Sequence, residues 1–341
     1  MTMSSPQHTV AVALEAMATR FEIVLHGSNP VALRAAGEEA LAEIARLEAR
    51  LSLYRPDSEI ARVNARAARE PVRLTPEVFA LLQRARRLSE ETGGAFDVTI
   101  APLVRCWGFM GGSGRQPAPE EIQAARACVG PDVVQFDEGN FTVRFARPGV
   151  MLDLGALGKG YAIEQAATLL REAGVTSALL HGGTSTIYAL GKPPDAPAWR
   201  IALDRPLDTG AGKSRTMLTT VELADEALSV SAVWGKSFLQ DNVILGHVID
   251  PRSGQPANAA VMAAVACPSA TDSDALATAL LVLGPGGIEL AASRRPGLRA
   301  LVVSRSAAGL QVLARGLAVQ PADARLATDP TGAAAEARND R

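Results

Sequence analysis

The sequence predicts an α+β fold. Stretches of helical and of strand-type apolar periodicity are mixed along the chain without regular β-α alternation. Segments rich in chemistry-bearing residues are spread over most of the 341 positions, which argues for one catalytic unit over two independent domains. Nearly half of the residues are apolar (48%) and 21% are charged, enough to build a substantial core.

Residues 1–10 are expected to be a flexible leader containing His8, residues 11–318 the folded unit, and residues 319–341 a disordered tail without periodicity. A strand is predicted over 17–25. Asn29-Pro30 then supplies an N-cap and a first-turn proline for a helix to about 50, with Leu33, Leu41, Ile44, Leu47 and Leu51 as its buried stripe. Thr75-Pro76 opens a second helix in the same way, and Thr92-Gly93-Gly94 ends it. Residues 111–119 read as a glycine-rich loop and 133–145 as a hairpin turning at 137–140. A short buried strand is predicted over 150–152, followed by a loop and a helix whose apolar positions are Ile163, Ala166, Ala167 and Leu170 and whose C-terminal glycine is Gly174. Further strands are expected over 178–180, 199–204, 217–223, 261–267, 298–304 and 310–314.

Composition excludes several classes. A formal charge of −2 gives no electrostatic footprint for nucleic acid, and 4% aromatic residues argue against base-stacking platforms. Cys106, Cys128 and Cys267 are too few and too far apart for a disulfide framework or a C-x-x-C metal site. The apolar run over 9–14 is short, is interrupted by Glu15 and lacks a basic lead, so no secretory signal is read there. With no lipobox and no run long enough for a membrane span, the expected location is the cytoplasm, or the periplasm if an upstream start is missing.

Three constellations could carry chemistry. Asp153 precedes a loop holding Gly155, Gly158, Gly160 and Lys159 at a helix start, where close backbone approach and the helix dipole suit a phosphate. The order G-x-x-G-x-G is neither the dinucleotide fingerprint nor a P-loop, and a plain strand-to-helix turn is the competing reading. Asp274 and Thr278 are four apart on a predicted helix and offer hard oxygen donors suited to Mg²⁺; on spacing alone, capping by Thr271 and Asp274 is favoured. His247 ends a predicted strand just before the turn-forming 250–254, a place for a proton acceptor or for a hydrogen-bonded structural histidine.

These segments fall in a specific order. Met17-Ala18-Thr19-Arg20-Phe21, the run 51–59, Thr92 through Asp97 and on to Trp107-Gly108-Phe109, the loop 150–161, and the segments 246–254 and 274–280 together resemble the ApbE family of FAD:protein FMN transferases. The resemblance implies a single two-lobed, T-fold-like catalytic domain with mixed, largely antiparallel sheets and flanking helices. It implies Mg²⁺-dependent transfer of FMN from FAD to a Thr or Ser hydroxyl of an acceptor flavoprotein, with release of AMP. FAD pyrophosphatase activity and a non-catalytic flavin-binding maturation factor are the alternatives. By the same resemblance the metal site falls on Ala156, Asp274, Ala277 and Thr278, the alanines offering main-chain oxygen. FAD is held by Met17, Tyr54, Ala95, Phe96, Asp97, Asp153, Lys159 and Val248, and His247 faces the pyrophosphate and the incoming hydroxyl. Three departures stand out: Thr184 where the family often has Asp or Asn, and Ala232 and Ala18 where glycine is usual.

Overall fold

The computed structural model describes residues 7–206, 216–234, 237–240, 243–307 and 309–319. The chain opens with a hairpin of β1 (His8–Ala16) and β2 (Thr19–Gly27), then α1 (Pro30–Leu51) and α2 (Glu59–Arg66). Next come β3 (Val72–Arg73), α3 (Pro76–Glu91), α4 (Ala101–Cys106), α5 (Pro119–Arg126), β4 (Val134–Asp137) and β5 (Thr142–Phe145). The segment α6 (Gly158–Glu172), β6 (Ser177–Gly182), β7 (Thr186–Gly191), β8 (Trp199–Asp204), β9 (Met217–Leu223) and β10 (Glu226–Ala232) follows. The chain continues through β11 (Ser237–Gln240), β12 (Val243–Gly246), β13 (Met262–Cys267), α7 (Ala270–Leu283), α8 (Gly287–Arg294), β14 (Arg299–Ser306) and β15 (Gly309–Arg315).

An eight-stranded sheet in the order β1-β2-β6-β7-β10-β13-β14-β15 organises the molecule, and each adjacent pair in it is antiparallel. Strand β13 shows how its two faces are used. Ala263, Val265 and Cys267 join the core under the helices α1, α6 and α7, whereas Met262, Ala264 and Ala266 join a second core closed by the β8–β9 ribbon. Burial on both faces is why all six residues of β13 are apolar, without the alternation of a half-exposed strand. A third, smaller cluster of Leu103, Trp107, Phe109, Ile122 and Ile249 ties α4 and α5 to the segment after β12. The fold is thus α+β with mainly antiparallel sheets and flanking helices, as the sequence predicts.

The predicted helix over 30–50 is α1, capped by Asn29, whose side chain accepts from the Val31 and Ala32 N–H groups at 3.1 Å. The second helix, α3, starts at Pro76, but Thr75 does not cap it; its hydroxyl goes to Glu59 at 2.9 Å. Other expectations are corrected. His8, Thr9 and Val10 are not leader but strand, paired with Gly27, His26 and Leu25. Met17 is not in a strand: with Ala18 it forms the two-residue turn between β1 and β2. No strand forms over 150–152, because its backbone is captured by partners outside any sheet: Leu152 exchanges two hydrogen bonds with the Asn64 side chain (2.7 and 3.0 Å), and Asp153 N–H donates to the Val98 carbonyl at 2.7 Å. The expected tail from 320 onward lies outside the described residues.

Candidate active site

The glycine loop and the α7 helix meet at one close crossing. Gly160, in the first turn of α6, donates its N–H to Asp274 Oδ2 at 2.9 Å. A side chain at 160 would collide with the Ala270 carbonyl oxygen, and its Cβ would lie 2.7 Å from the Asp274 Cβ. Glycine is required here by the approach of the two helices, independent of any ligand. Asp274 is 4% exposed and is not a cap: α7 is capped by Ser269, whose side chain accepts from Asp272 N–H at 3.1 Å. Asp274 Oδ1 has no hydrogen-bond partner among the described residues. One turn on, the Thr278 hydroxyl lies 3.1 Å from Ser231 Oγ at the end of β10. Ala277 is fully buried between these positions and Ala156 is half-buried in the loop, so both can offer only main-chain oxygen.

Asp153 sets the other side of the loop. Its Oδ1 accepts from Gly155 N–H at 2.8 Å, and Lys159 Nζ donates to the Gly155 carbonyl at 3.2 Å. Burial pushes the Asp153 carboxyl up, opposed by the Gly155 N–H and by the Lys159 charge. The Tyr54 hydroxyl is pushed up first by desolvation and then by the Asp153 charge. The loop N–H groups are largely committed: Gly155 to Asp153, Leu157 and Gly158 to Leu154, Gly160 to Asp274, and Tyr161 to Leu157. Among the described hydrogen bonds, the Leu154, Ala156 and Lys159 N–H groups are left without an acceptor, and those of Ala156 and Lys159 lie within the glycine loop and helix start.

Ala95 and Phe96 are buried in the core beside this loop. Asp97 is buried too, and its carboxylate is occupied. It accepts from Ser89 Oγ and Thr99 N–H, both at 2.8 Å, and from Thr99 Oγ1 at 2.5 Å. The segment faces a cleft of about 540 Å³ whose walls include Gly94, Asp97, Pro251 and Arg252. Across that cleft the turn after His247 is braced by a bidentate Asp250–Arg252 pair, with both distances 2.9 Å, and by Trp107 Nε1 donating to the Gly254 carbonyl at 2.8 Å.

His247 follows β12 directly, half-buried, with its ring edge-on to Phe109 at 6.4 Å. The Val248 carbonyl accepts from Ala257 N–H at 2.8 Å. Gly246 packs against the Val233 carbonyl, two residues beyond the Ser231 that meets Thr278. The end of β10 therefore reaches toward both the Asp274/Thr278 helix and the histidine segment. Met17 sits in the β1–β2 turn, where its N–H donates to Glu48 Oε1 at 2.6 Å.

Two residues of this arrangement have little local signal in the sequence. Ser231 sits 47 residues from Thr278, and Glu48 sits 31 residues from Met17; only the sheet and α1 bring them together. Glu48 falls on the apolar stripe of α1, on the same face as Leu41, Ile44 and Leu51, and a carboxylate on that face is the one hint its sequence offers.

The model for the ApbE family matches residues 17–302. The FAD:protein FMN transferase of Vibrio cholerae serotype O1 is 34% identical over 239 residues, covering 69% of each chain. That of Haemophilus influenzae is 31% identical over 254 residues, covering 72% of each. Among solved structures, the apo form of the Pseudomonas stutzeri flavinyl transferase ApbE superposes with a TM-score of 0.80 at 31% identity, covering 92% of this chain and 97% of its own.

Proposed function

This chain belongs to the ApbE family and is a flavin transferase, and from that premise we propose that it moves the FMN half of FAD onto a Thr or Ser hydroxyl of an acceptor flavoprotein, releasing AMP. The observation that carries the reading is the α6–α7 crossing. There the Gly160 N–H fixes one oxygen of the buried Asp274 and leaves the other without a partner among the described residues. That second oxygen is not among the buried polar atoms left unsatisfied; it keeps contact with solvent and is open to a cation.

The donors fit a hard divalent ion. Asp274 carboxylate, Thr278 hydroxyl and the main-chain oxygens of Ala156 and Ala277 would hold Mg²⁺, with no nitrogen or sulfur among them. Among the described residues no cluster of three or more His, Cys, Asp or Glu side chains forms a cage, consistent with a site completed by substrate phosphates and water. When bound, the ion supplies positive charge to the pyrophosphate.

The chain's own residues do the rest. Lys159, with the free N–H groups of Ala156 and Lys159, holds the phosphates beside it. Tyr54 and Met17 offer an aromatic face and a thioether to the flat ring systems, and the main chain at Ala95, Phe96 and Val248 offers hydrogen bonds to their edges. Since the Asp97 carboxylate is spent on Ser89 and Thr99, its contribution is to keep that segment in place. His247 accepts the proton of the acceptor hydroxyl. The hydroxyl oxygen then bonds to the FMN phosphorus, the P–O bond to the adenylate breaks, and AMP leaves with the electron pair.

Intact-mass analysis of a candidate acceptor incubated with the enzyme, FAD and Mg²⁺ tests the reading. A mass gain of one FMN with release of AMP is expected. FAD cleavage without that gain would assign the pyrophosphatase activity instead, and binding without cleavage the maturation role. Asp274→Ala should abolish the metal-dependent gain. His247→Ala should keep FAD and metal binding while slowing transfer by about 10²–10⁴-fold. An Asp274→Ala enzyme with unchanged Mg²⁺ dependence would return that carboxylate to a structural role.

A further inference from the structure

Next to the crossing lies a group of charges that the transfer chemistry does not use. Arg84, on α3, reaches three partners on two other helices. Its Nε donates to Asp272 Oδ1 at 2.8 Å, its Nη1 to Glu164 Oε1 at 2.7 Å, and its Nη2 to Ser269 Oγ. Glu164 belongs to α6, one turn beyond Gly160. Ser269 and Asp272 form the first turn of α7, two residues before Asp274. Glu164 Oε2 in turn accepts from the Ser269 hydroxyl and from Thr271 N–H at 3.0 Å. Arg295, after α8, completes the group by pairing with Asp272 Oδ2 and with Glu91 of α3, both at 2.7 Å.

Stability alone is a poor account of this arrangement. Asp272 is 10% exposed at its side chain, Glu164 23% and Arg84 25%, so these charges have given up much of their hydration, and buried ion pairs rarely repay that cost over apolar packing. The group is not perfectly satisfied either: the buried Thr271 Oγ1 and Arg295 Nε have no hydrogen-bond partner among the described residues. What the fork does achieve is geometric. A planar guanidinium with three bonds at fixed angles fixes the first turn of α7 against α6, within one turn of the point where Gly160 meets Asp274.

We infer that Arg84 is a positioning residue for the metal site, acting through Glu164, Ser269 and Asp272 to set the spacing of α6 and α7 and so the placement of the Asp274 carboxylate. The inference rests on the metal reading above. Groups that orient a ligating side chain typically cost about ten- to a hundredfold in metal affinity when removed.

The test is calorimetric titration of Mg²⁺ into the full chain with FAD present, beside the Mg²⁺ dependence of transfer and a melting curve. Arg84→Met should weaken Mg²⁺ binding by about ten- to a hundredfold. The Mg²⁺ concentration for half-maximal rate should rise in step, while the rate at saturating Mg²⁺ is kept. Arg84→Lys, which keeps the charge but loses the fork, should fall between. Arg86→Met, which breaks the exposed pair with Glu90 on the same helix and the contact over the Phe136 ring, should match the wild type. A folded Arg84→Met protein with wild-type metal affinity would overturn the inference. If that variant does not melt cooperatively, Glu164→Gln decides: it keeps an oxygen for Ser269 and Thr271 but removes the charge that Arg84 holds, and unchanged affinity would again overturn it. A wild type that binds no Mg²⁺ at all would instead remove the metal reading, and the inference with it.

Discussion

Asp274 sits 4% exposed where two helices cross, whereas Tyr54, Leu239 and Trp234 stand 68%, 66% and 51% exposed. The helix crossing is locked by glycine contact, a capped first turn and an ion-pair group. Leu239 and Trp234 belong to the stretch from the end of β10 through the β11–β12 ribbon, which adds two strands outside the main sheet and leads straight into His247. Under the proposed function the two regions would handle different loads. Charge developing on a pyrophosphate is stabilised only by dipoles and ions already in place. Ring faces and an incoming protein can be met by side chains that order on contact, at some cost in affinity.

The largest effect should come from breaking the rigid side. Gly160→Val would force the α6 and α7 backbones apart, because even a Cβ has no room against the Ala270 carbonyl and Asp274. A cost of about 1–3 kcal/mol is expected from overpacking, together with loss of the Gly160–Asp274 hydrogen bond. Melting curves and Mg²⁺ titration would both register it, and an unchanged melting point would show that the crossing is looser than drawn. On the open side the pattern should reverse. Tyr54→Ala should leave stability within roughly 0.5 kcal/mol of the wild type and weaken FAD binding by about 1 kcal/mol, the scale of an aromatic contact. Flavin fluorescence titration checks it; equal affinities would remove Tyr54 from the ring site.

The rigid side should also be the acid-sensitive one. Burial pushes the Glu164 carboxyl up, but Arg84, Ser269 and the Thr271 N–H outweigh it, so Glu164 lies below its ordinary value of 4.5. A folded-state value below the unfolded one means stability that is present above pH 4.5 and lost as pH falls through the folded value. Denaturant unfolding across that range should show a shallower acid loss for Glu164→Gln than for the wild type. Parallel curves would mean that Glu164 gains nothing from its partners.

What the sequence made legible was local. Asn29-Pro30 fixed the start of α1, and the four-residue spacing of Asp274 and Thr278 placed both on α7, because caps and helical periodicity act within one or two turns. Capping was the wrong weight for Asp274, since Ser269, which caps α7, carries no more local signal than Thr271 or Asp274. The segment 150–152 reads as a strand but forms none, because the partner of Leu152 is the Asn64 side chain, 88 residues away. Val10, Val12 and Ala16 do alternate as buried positions of β1, but with the first strand set at 17–25 this hairpin arm was taken in part for leader. Ordered motifs pointed to the candidate site; long-range backbone and side-chain partners decide which of its groups are already occupied.

The smallest predicted effect concerns the turn carrying Met17, and it asks whether strain there serves the flavin. Met17 and Ala18 have φ of 49° and 57°, the left-handed conformation that a two-residue hairpin turn requires and that residues with a Cβ adopt at a cost. The Met17 N–H is held by Glu48, so the turn keeps its place without glycine. Ala18→Gly removes the Cβ penalty at a position whose backbone already suits glycine, and should stabilise the protein by about 0.5–1 kcal/mol. For a chain of this size that is roughly 1–3 °C in melting temperature. FAD affinity should be unchanged if the strain is only tolerated. If the melting temperature rises while FAD binding weakens, the strained turn is what presents Met17, and the flavin side of the site would share the preorganisation seen at Asp274. A lower melting temperature would show that the turn carries no strain to relieve.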